Sequence, residues 1–383
     1  MKILFFSPYF YPYISGVTVS SKRILDYLKK NNDITILTFL FNRNPDKDVN
    51  LNKLNVIQVP YLFKISKGFI SPQSIIYFLK FVKNSDLIIL SQPNFEGLLL
   101  ALIAKVLGKK IISIFHCQVF LEGNILSKIV NFVLNISMKT QLNLSDKIVV
   151  YTKDYIDSLP YFKKLVNKTV DVLPPIKKYS SDKEFLNKLL KLKGNQIWIG
   201  YAGRISVEKG IEYLVEAVHN IVIPVKTGIQ IIFAGPYGAD VAGENYYYSK
   251  IISLLKKYKI KSLFLGNLRS DNLGAFYKSI DILALPSINQ TEAFGMVQAE
   301  AMMNGTPVIA SNLPGVRMPI KLTRMGVITE PKNAKQISRT ILSILEKKYK
   351  FTNDKLVKNA QDIFDIKKVY KFYDDLLAST MYR

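Results

Sequence analysis

Apolar and polar positions alternate along the chain in blocks of two kinds. Short runs that are apolar at nearly every position, beginning with Lys2 to Phe6, are typical of strands buried on both faces of a parallel sheet. Longer segments with apolar residues three or four positions apart lie between them and predict amphipathic helices. The first of these runs from Val17 to Lys30, and a second apolar run, Ile34 to Phe39, follows it. Strand, loop, helix and strand therefore open the chain in the order of a parallel α/β fold.

The same alternation continues along the rest of the sequence. We predict further strands at Val56 to Val59, Leu87 to Leu90, Lys110 to Phe115, Lys147 to Val150, Val170 to Leu173, Ile197 to Ala202, Ile229 to Ala234, Ser262 to Leu265, Ile282 to Leu285 and Pro307 to Ala310. We predict helices at Pro72 to Val82, Phe95 to Val106, Ile125 to Leu142, Lys209 to Asn220, Tyr246 to Tyr258, Asn272 to Lys278, Ala334 to Lys347, Lys355 to Phe364 and Ile366 to Leu377. We also predict a Lys-rich helix in the linker that ends near Gly194, and a helix after Glu292 that stops at Asn304-Gly305.

Two domains account for this pattern. A chain of 383 residues is too long for one core, and Pro174-Pro175 is a stiff break between the two strand–helix series. We expect doubly wound, Rossmann-like domains at residues 1–176 and 177–365, with residues 366–383 as a terminal helix. Ligands of such sheets bind at the carboxyl ends of strands. Facing domains would therefore bring Ser15-Gly16 and the segment Glu292 to Gly295 to one interdomain cleft.

Composition narrows the class of protein. Hydrophobic residues make up 49% of the chain and aromatic residues 12%, which is typical of a folded protein. One cysteine, Cys117, forms no internal disulfide, and Pro8 interrupts the N-terminus too early for a signal peptide. No run reaches the roughly 18 apolar residues of a membrane span. We expect a cytoplasmic protein.

The formal net charge of +24 has three interpretations: nucleic acid, an anionic membrane surface, or compositional bias. The chain contains no nucleic-acid reader motif, so we expect no nucleic-acid partner. The segments Phe63 to Lys83 and Leu121 to Lys139 mix apolar residues with lysines. They lie either on a membrane, which would make the protein peripheral, or against the first sheet as ordinary amphipathic helices.

Two motifs in the second half carry candidate chemistry. Gly203 to Gly210 (GRISVEKG) follows a strand and opens a helix, so Arg204 and Lys209 flank a turn and can close on one diphosphate. Thr291 to Met302 (TEAFGMVQAEAM) places Glu292 and Glu300 around a helix start. The amides of Phe294, Gly295, Met296 and Val297 would be the unpaired donors of that helix, which favour an anion.

Together with Gly305 to Ala310, these motifs resemble the signatures of the family 4 retaining glycosyltransferases, and the resemblance extends over nearly the whole chain. The family implies the GT-B fold of two facing Rossmann-like domains, with the last helix packing back on the first. It also implies retaining, metal-independent transfer of a sugar from a nucleotide-diphosphate donor, such as a UDP- or GDP-sugar. The acceptor would be a hydroxyl of a glycan or glycolipid in cell-envelope polysaccharide or lipid glycosylation.

The resemblance also implies roles for individual residues. Arg204 and Lys209, after Gly203, hold the diphosphate. Glu292 and the backbone of Phe294 to Val297 contact the sugar and phosphates. Glu300 accepts hydrogen bonds from the ribose, and the backbone at Leu268-Arg269 holds the base.

In the first domain, His116 contacts the donor sugar or stabilises developing charge, and Gly16 approaches the phosphates or the acceptor. Relatives often carry two glycines where this chain has Ser15-Gly16. On this interpretation neither Glu292 nor Glu300 is a general base.

Other interpretations differ in their chemistry. A nucleotide-sugar epimerase on the same fold would need no acceptor, and a non-catalytic sugar-nucleotide-binding membrane protein would need no chemistry at all. A Rossmann dinucleotide site is excluded because no Gly-x-Gly-x-x-Gly follows the first strand. Asp46-Lys47-Asp48 is interpreted as a solvated turn. We therefore expect no metal and no cofactor.

Overall fold

The structure is a computed structural model, and it describes residues 1–40, 54–65, 68–119, 125–221, 228–238, 244–346 and 351–381. The chain divides into two compact units. Unit 1 comprises Met1–Pro175 together with Ile366–Arg383, and unit 2 comprises Ile176–Asp365. The boundary between them lies one residue before the predicted one.

In its described residues, unit 1 begins with nine strands and five helices. The strands are β1 (Lys2–Phe6), β2 (Asp33–Phe39), β3 (Asn55–Val59), β4 (Phe63–Ile65), β5 (Gly68–Ile70), β6 (Leu87–Gln92), β7 (Lys110–Phe115), β8 (Lys147–Val150) and β9 (Thr169–Asp171). The helices are α1 (Gly16–Leu28), α2 (Gln73–Val82), α3 (Gly97–Val106), α4 (Ile125–Leu144) and α5 (Lys153–Asp157), with 3-10 turns at Pro160–Lys164 and Val166–Lys168.

Seven of these strands form one parallel sheet in the order β3-β2-β1-β6-β7-β8-β9. The central strands are buried on both faces, which explains why they are apolar at nearly every position. Ile3 and Phe5 of β1 point into one core layer, and Leu4 and Phe6 point into the other. Helices therefore cover both faces of the sheet, as predicted.

The described part of unit 2 contains six strands and eight helices. The strands are β10 (Ile197–Ala202), β11 (Ile229–Ala234), β12 (Lys261–Phe264), β13 (Ile282–Leu285), β14 (Val308–Ser311) and β15 (Gly326–Thr329). The helices are α6 (Lys183–Lys193), α7 (Ile211–His219), α8 (Asn245–Lys257), α9 (Ser270–Ser279), α10 (Met296–Met303), α11 (Met318–Thr323), α12 (Ala334–Leu345) and α13 (Asp354–Ile363). The sheet is parallel throughout, in the order β12-β11-β10-β13-β14-β15.

The last helix of the chain, α14 (Ile366–Met381), belongs to unit 1. Its side chains Val369, Tyr373, Leu376 and Leu377 are buried in the same core layer as α1. The Tyr370 ring also stacks on the Tyr27 ring of α1 at a centroid separation of 4.0 Å. The two ends of the chain therefore share one core.

Several elements differ from the sequence prediction. The hairpin formed by β4 and β5 was not predicted, and neither were α5, α11 and β15. The helix predicted from Lys209 begins at Ile211 as α7, because Val207–Lys209 is a 3-10 turn and Gly210 adopts a left-handed conformation between the two. The remaining predicted helices and strands are confirmed within a few residues of their bounds.

No helix among the described residues is long and apolar enough to cross a membrane.

Candidate functional site

The strand order of unit 2 reverses between β10 and β13, which are hydrogen-bonded neighbours. Loops that leave the carboxyl ends of two such strands run to opposite faces of the sheet and leave a crevice between them, where doubly wound sheets bind their ligands. In this chain the two loops are residues 203–210 and residues 286–295, which are the two motifs singled out in the sequence.

The loop after β10 is held by hydrogen bonds along the sheet edge. The Gly203 amide donates to the Ala234 carbonyl (2.8 Å), and the buried Tyr201 hydroxyl donates to the Arg204 carbonyl (2.6 Å). The Arg204 guanidinium lies 3.1 Å from the carboxylate of Glu208. This pairing orients a cation whose side chain is 25% exposed at the mouth of the crevice.

The loop after β13 meets the first loop directly. The Ile288 amide donates to the Glu208 carbonyl (3.0 Å), and the Lys209 ammonium forms an ion pair with the Glu292 carboxylate. Lys209 and Glu292 are 83 positions apart in the chain, and each side chain is less than one-fifth exposed. The structure thus brings together the basic turn and the first carboxylate that the sequence identified separately.

Helix α10 begins at the same place. Its N-cap residue, Gly295, has φ of +76°, and a Cβ there would lie 2.4 Å from a Leu285 methyl carbon. The Gln298 amide group donates to the carbonyls of Phe294 and Val316 (2.9 Å each), which fixes the approach to the helix. The first amides of a helix have no acceptor within it, so Phe294, Gly295, Met296 and Val297 present donors suited to an anion.

Glu300 lies further inside α10 and is buried, with 4% of its surface exposed. The Tyr277 hydroxyl donates to one of its carboxylate oxygens (2.9 Å), and the Thr306 hydroxyl donates to the Tyr277 carbonyl (2.5 Å). A buried carboxylate held in this way is preorganised to accept hydrogen bonds from a ligand. Its surroundings favour a binding role over that of a mobile acid or base.

Leu268 and Arg269 follow β12 at the same edge of the sheet. The loop is joined to the next strand by the Gly235 amide, which donates to the Gly266 carbonyl (2.8 Å). Arg269 precedes α9, and its side chain is 74% exposed, 3.7 Å from the Asp271 carboxylate. The sequence predicted that only backbone groups of Leu268 and Arg269 bind the base, and the exposed Arg269 side chain does not change this prediction.

Several polar groups of the site were not identified in the sequence. The hydroxyls of Ser206, Ser287 and Thr291 are buried without a hydrogen-bond partner among the described residues, and all three belong to the two loops. Buried hydroxyls normally have partners, so these are candidates to bind a ligand. Their position in the two loops could have indicated a role in the site. The sequence does not show, however, whether a serine or threonine in a polar segment is buried.

The remaining two predicted residues lie in unit 1. Gly16 is the first residue of α1, and Ser15 caps that helix: its hydroxyl accepts from the Thr18 amide (3.2 Å) and its amide donates to the Thr18 hydroxyl (2.8 Å). The serine at the position where relatives often carry glycine is thus a helix cap. Gly16 adopts a helical conformation and not a strained one.

His116 directly follows β7 and is almost fully buried. Its Nε2 hydrogen bonds with the Ser91 hydroxyl (3.0 Å) and its Nδ1 with the Tyr151 hydroxyl (2.6 Å), which in turn bonds the Ser20 hydroxyl (2.8 Å). Burial lowers the pKa of His116 to about 3, so the imidazole is neutral at physiological pH. The ring is fixed by partners from α1, β6 and the segment after β8.

The described residues hold no group of three or more histidine, cysteine, aspartate or glutamate side chains that could bind a metal ion. The predicted turn at Asp46-Lys47-Asp48 lies outside the described residues. The expectation that the chain uses no metal and no cofactor stays a prediction.

Comparison with known proteins agrees with this geometry. Residues 182–363, nearly all of unit 2, match the family Glycosyl transferases group 1. The chain is 24% identical over 356 residues to the glycosyltransferase MJ1178 of Methanocaldococcus jannaschii, covering 90% of this chain and 88% of that protein. It is 33% identical over 138 residues to the glycosyltransferase MJ1607 of the same organism, a match that spans 36% of this chain and only 33% of that protein.

Among solved structures, Anabaena Alr3699/HepE in complex with UDP and glucose superposes with a TM-score of 0.79 at 18% identity, covering 99% of this chain and all of that one. This likeness shows the fold. With the parallel sheets of both units, it shows that the chain has the GT-B fold, and the family match assigns residues 182–363 to Glycosyl transferases group 1.

Proposed function

We propose that the chain is a retaining glycosyltransferase that moves a sugar from a nucleotide-diphosphate donor, a UDP- or GDP-sugar, to a hydroxyl of a glycan or lipid-linked acceptor. One observation carries this proposal. Two cations, a carboxylate and an uncapped helix start meet at the strand reversal of unit 2. Such a set suits a ligand that carries two phosphates between two groups rich in hydroxyls.

In the proposed complex the diphosphate lies against Arg204, Lys209 and the first amides of α10. The bond between the sugar C1 and the diphosphate oxygen breaks, and negative charge builds up on the departing nucleoside diphosphate. Fixed cations and amides stabilise that charge most in the transition state, so they lower the barrier without a divalent metal.

The two glutamates would bind the two ends of the donor. The ion pair between Lys209 and Glu292 must be exchanged when the donor binds: Lys209 turns to a phosphate and Glu292 to hydroxyls of the sugar. Glu300, oriented by Tyr277, accepts hydrogen bonds from the ribose, and the backbone at Leu268-Arg269 holds the base. Because both carboxylates are engaged in binding, neither acts as general base.

Retention then follows from departure and attack on the same face. The acceptor oxygen forms its bond to C1 on the side that the diphosphate leaves, and the acceptor proton passes to the leaving phosphate. His116 is neutral because burial lowers its pKa, and both ring nitrogens already pair with hydroxyls, so it would reach the sugar only by exchanging one of these hydrogen bonds, and without a positive charge. Gly16, at the start of α1, has no side chain and so allows the backbone to come close to the phosphates or the acceptor.

The proposed acceptor belongs to the cell envelope, and the enzyme works in the cytoplasm at the inner, anionic face of the membrane. The support is the net charge of +24 together with the many exposed apolar side chains on α2, α3 and α4. Sedimentation with anionic vesicles at low salt tests this part separately. If the protein does not sediment with the vesicles, the proposed membrane location is wrong, whereas the proposed transfer reaction is unaffected.

Calorimetry with UDP, GDP and their sugar conjugates tests the donor. We expect Lys209→Ala to weaken binding by about tenfold to a hundredfold, because a hydrogen bond to a charged group contributes about 1.5–3 kcal/mol. Lys250→Ala is the control, since Lys250 also pairs with a glutamate, Glu212, but belongs to α8 and to neither of the two loops. Glu300→Ala should weaken the nucleotide as well.

Absence of binding to every UDP- and GDP-sugar would refute the proposal. Mass detection of products in the same samples, with and without oligosaccharide or lipid acceptors, distinguishes transfer from epimerisation. A modified sugar nucleotide formed without any acceptor would indicate an epimerase instead.

A further inference from the structure

Unit 1 carries an apolar groove that the proposed donor chemistry does not use. It has a volume of about 510 Å³ and lies between the β4–β5 hairpin, α2, α3 and α4. The residues that form its walls include Phe69, Ile75, Leu99, Val133 and Ile136. The volume is within the range of about 300–1,000 Å³ that small-molecule sites occupy.

The polar side chains that line this groove are already occupied by the backbone. The Ser71 and Ser74 hydroxyls donate to the carbonyls of Pro60 and Ser71 (2.6 Å each), and the Ser137 hydroxyl donates to the Phe95 carbonyl (3.0 Å). Glu96 accepts from the Phe69 amide (2.6 Å). The walls therefore present hydrocarbon to a ligand, and a sugar or nucleotide would leave its own polar groups unpaired.

Glu96 belongs to the wall and not to the ligand contacts. Its carboxylate also accepts from the Phe95 amide (3.1 Å), so it ties the β5 edge of the hairpin to the start of α3. Burial raises the pKa of Glu96 to about 7, which reduces the charge it places beside the groove at neutral pH.

The helices around the groove present apolar side chains and lysines, and the lining itself includes one acid, Glu96. Large exposed hydrophobic side chains are concentrated on these elements: Leu62, Phe63, Ile76, Leu79, Leu99, Leu102, Val106, Ile125, Ile129, Phe132, Val133 and Ile136. The three helices contain Lys80, Lys105, Lys128 and Lys139 and no aspartate or glutamate. A face of this kind complements an anionic lipid surface.

One cation lies beside a residue that lines the groove. The Lys64 ammonium lies 4.8 Å from the ring centroid of Phe69 and 5.2 Å from that of Tyr61. Phe69 lines the groove but has no exposed surface, so a ligand chain would lie against exposed walls such as Leu99 and Val133, and Lys64 is the cation proposed to meet its head group. A second copy of the chain, docked face to face, would instead bring lysines against lysines.

We propose that the groove binds one hydrocarbon chain of an anionic phospholipid, whose head group pairs with Lys64. The proposal deepens the membrane contact proposed above by giving it a specific lipid site on unit 1. It also distinguishes two modes of membrane binding. In one, an apolar face of the protein inserts into the bilayer; in the other, the groove binds one hydrocarbon chain of a single lipid.

Dioctanoyl phosphatidylglycerol, kept below its critical micelle concentration, is the probe. Calorimetric titration of the full chain should show saturable binding of about one lipid per protein, with glycerol 3-phosphate not binding under the same conditions. Binding that never saturates, or no binding, would overturn the proposal. Neither result bears on donor binding, which is measured with UDP on the same preparation.

Matched variants on one helix test the site. Val133→Trp fills the groove, whereas Ile129→Trp lies one turn earlier on α4, is similarly exposed, and does not line it. We expect Val133→Trp to weaken the lipid by at least tenfold and Ile129→Trp to change it less than twofold. Equal effects would assign binding to the general face and refute the groove.

A second pair guards against misfolding. On α3, Leu99 lines the groove and Leu102 does not, so Leu99→Trp and Leu102→Trp repeat the comparison on another wall. Lys64→Glu should reduce binding of the anionic lipid to the level of dioctanoyl phosphatidylcholine. If the chain dimerises and the dimer excludes the lipid, the face belongs to a second copy and the proposal is wrong.

Discussion

At the residue scale, two buried ionisable groups of unit 1 are shifted in opposite directions. Burial lowers the pKa of His116 to about 3 and raises the pKa of Glu96 to about 7. Both shifts have the same cause, because removing a charged group from water favours its neutral form. The neutral form of histidine is the deprotonated one, and that of glutamate is the protonated one.

These shifts predict opposite dependences of stability on pH. Below pH 6.5, the ordinary pKa of histidine, His116 binds a proton in the unfolded chain but not in the folded one. Its contribution to the free energy of unfolding therefore falls as pH falls from about 6.5 towards 3. Folded Glu96 keeps a proton that the unfolded residue has lost, so its contribution falls as pH rises from about 4.5 to 7. Each slope is at most about 1.4 kcal/mol per pH unit.

Urea unfolding of the full chain, of His116→Gln and of Glu96→Gln at intervals from pH 4.5 to 7 measures both effects. Relative to the parent, the stability deficit of His116→Gln should grow with pH, and that of Glu96→Gln should shrink. Difference curves that stay flat would show that these groups are not shifted as the structure indicates.

Individual residues also show which parts of the site could be predicted from sequence motifs. Arg204, Lys209, Glu292 and Gly295 could be assigned to one site because each lies in a loop that follows the carboxyl end of a strand. The partners of Glu300 and His116 could not be predicted. Tyr277 and Tyr151 come from segments 23 and 35 positions away and carry no mark that distinguishes them from other tyrosines.

At the scale of elements, the carboxyl edge of the unit 2 sheet depends on glycines in consecutive strands. Gly203 donates to Ala234, and Gly235 donates to Gly266, so three strand ends are joined by short backbone bonds. Gly235 has φ of +132°, and a Cβ there would lie 2.3 Å from the Gly203 carbonyl oxygen. That oxygen is backbone, so it cannot move aside without disturbing the loop that carries Arg204.

We predict that Gly235→Ala destabilises unit 2 by about 2–4 kcal/mol, through backbone strain and the clash together. Gly266→Ala is the control: its φ is +66°, but a Cβ there meets nothing within 4 Å, so about 1 kcal/mol of strain is expected. Thermal unfolding followed by circular dichroism, with UDP affinity on the folded fraction, makes the comparison. Equal losses in the two variants would show that the clash is relieved.

Elements with a strong period were predicted well, and short ones were not. The β4 and β5 strands have three residues each, and α11 has six, which is too few for either period to appear. The apolar pattern of α4 was predicted, but whether it packs on the sheet or faces outward could not be read from it. In the structure α4 does both: Met138 and Leu142 are buried, whereas Ile129 and Phe132 are more than half exposed.

At the scale of the whole molecule, the first core is built from both ends of the chain. The sequence gives the length and apolar spacing of α14, while the resemblance alone suggested its place, because no local pattern says which domain a terminal helix joins. Tyr373 is almost fully buried beside β1 and α1, and the Tyr27 hydroxyl donates to the Asp374 carboxylate (2.5 Å). The stability of unit 1 should therefore depend on α14, although in the sequence the whole of unit 2 lies between this helix and the rest of unit 1.

We predict that Tyr373→Ala destabilises unit 1 by about 3–5 kcal/mol and leaves unit 2 intact, because removing a buried aromatic ring leaves a cavity that the core fills only partly. Hydrogen exchange followed by mass spectrometry should show faster exchange in β1, β2 and α1, with β10, β11 and β13 unchanged and UDP affinity retained. Lys371→Ala, on the exposed side of the same helix, should change neither. Faster exchange in both units would mean that they unfold together and that α14 stabilises more than the first core.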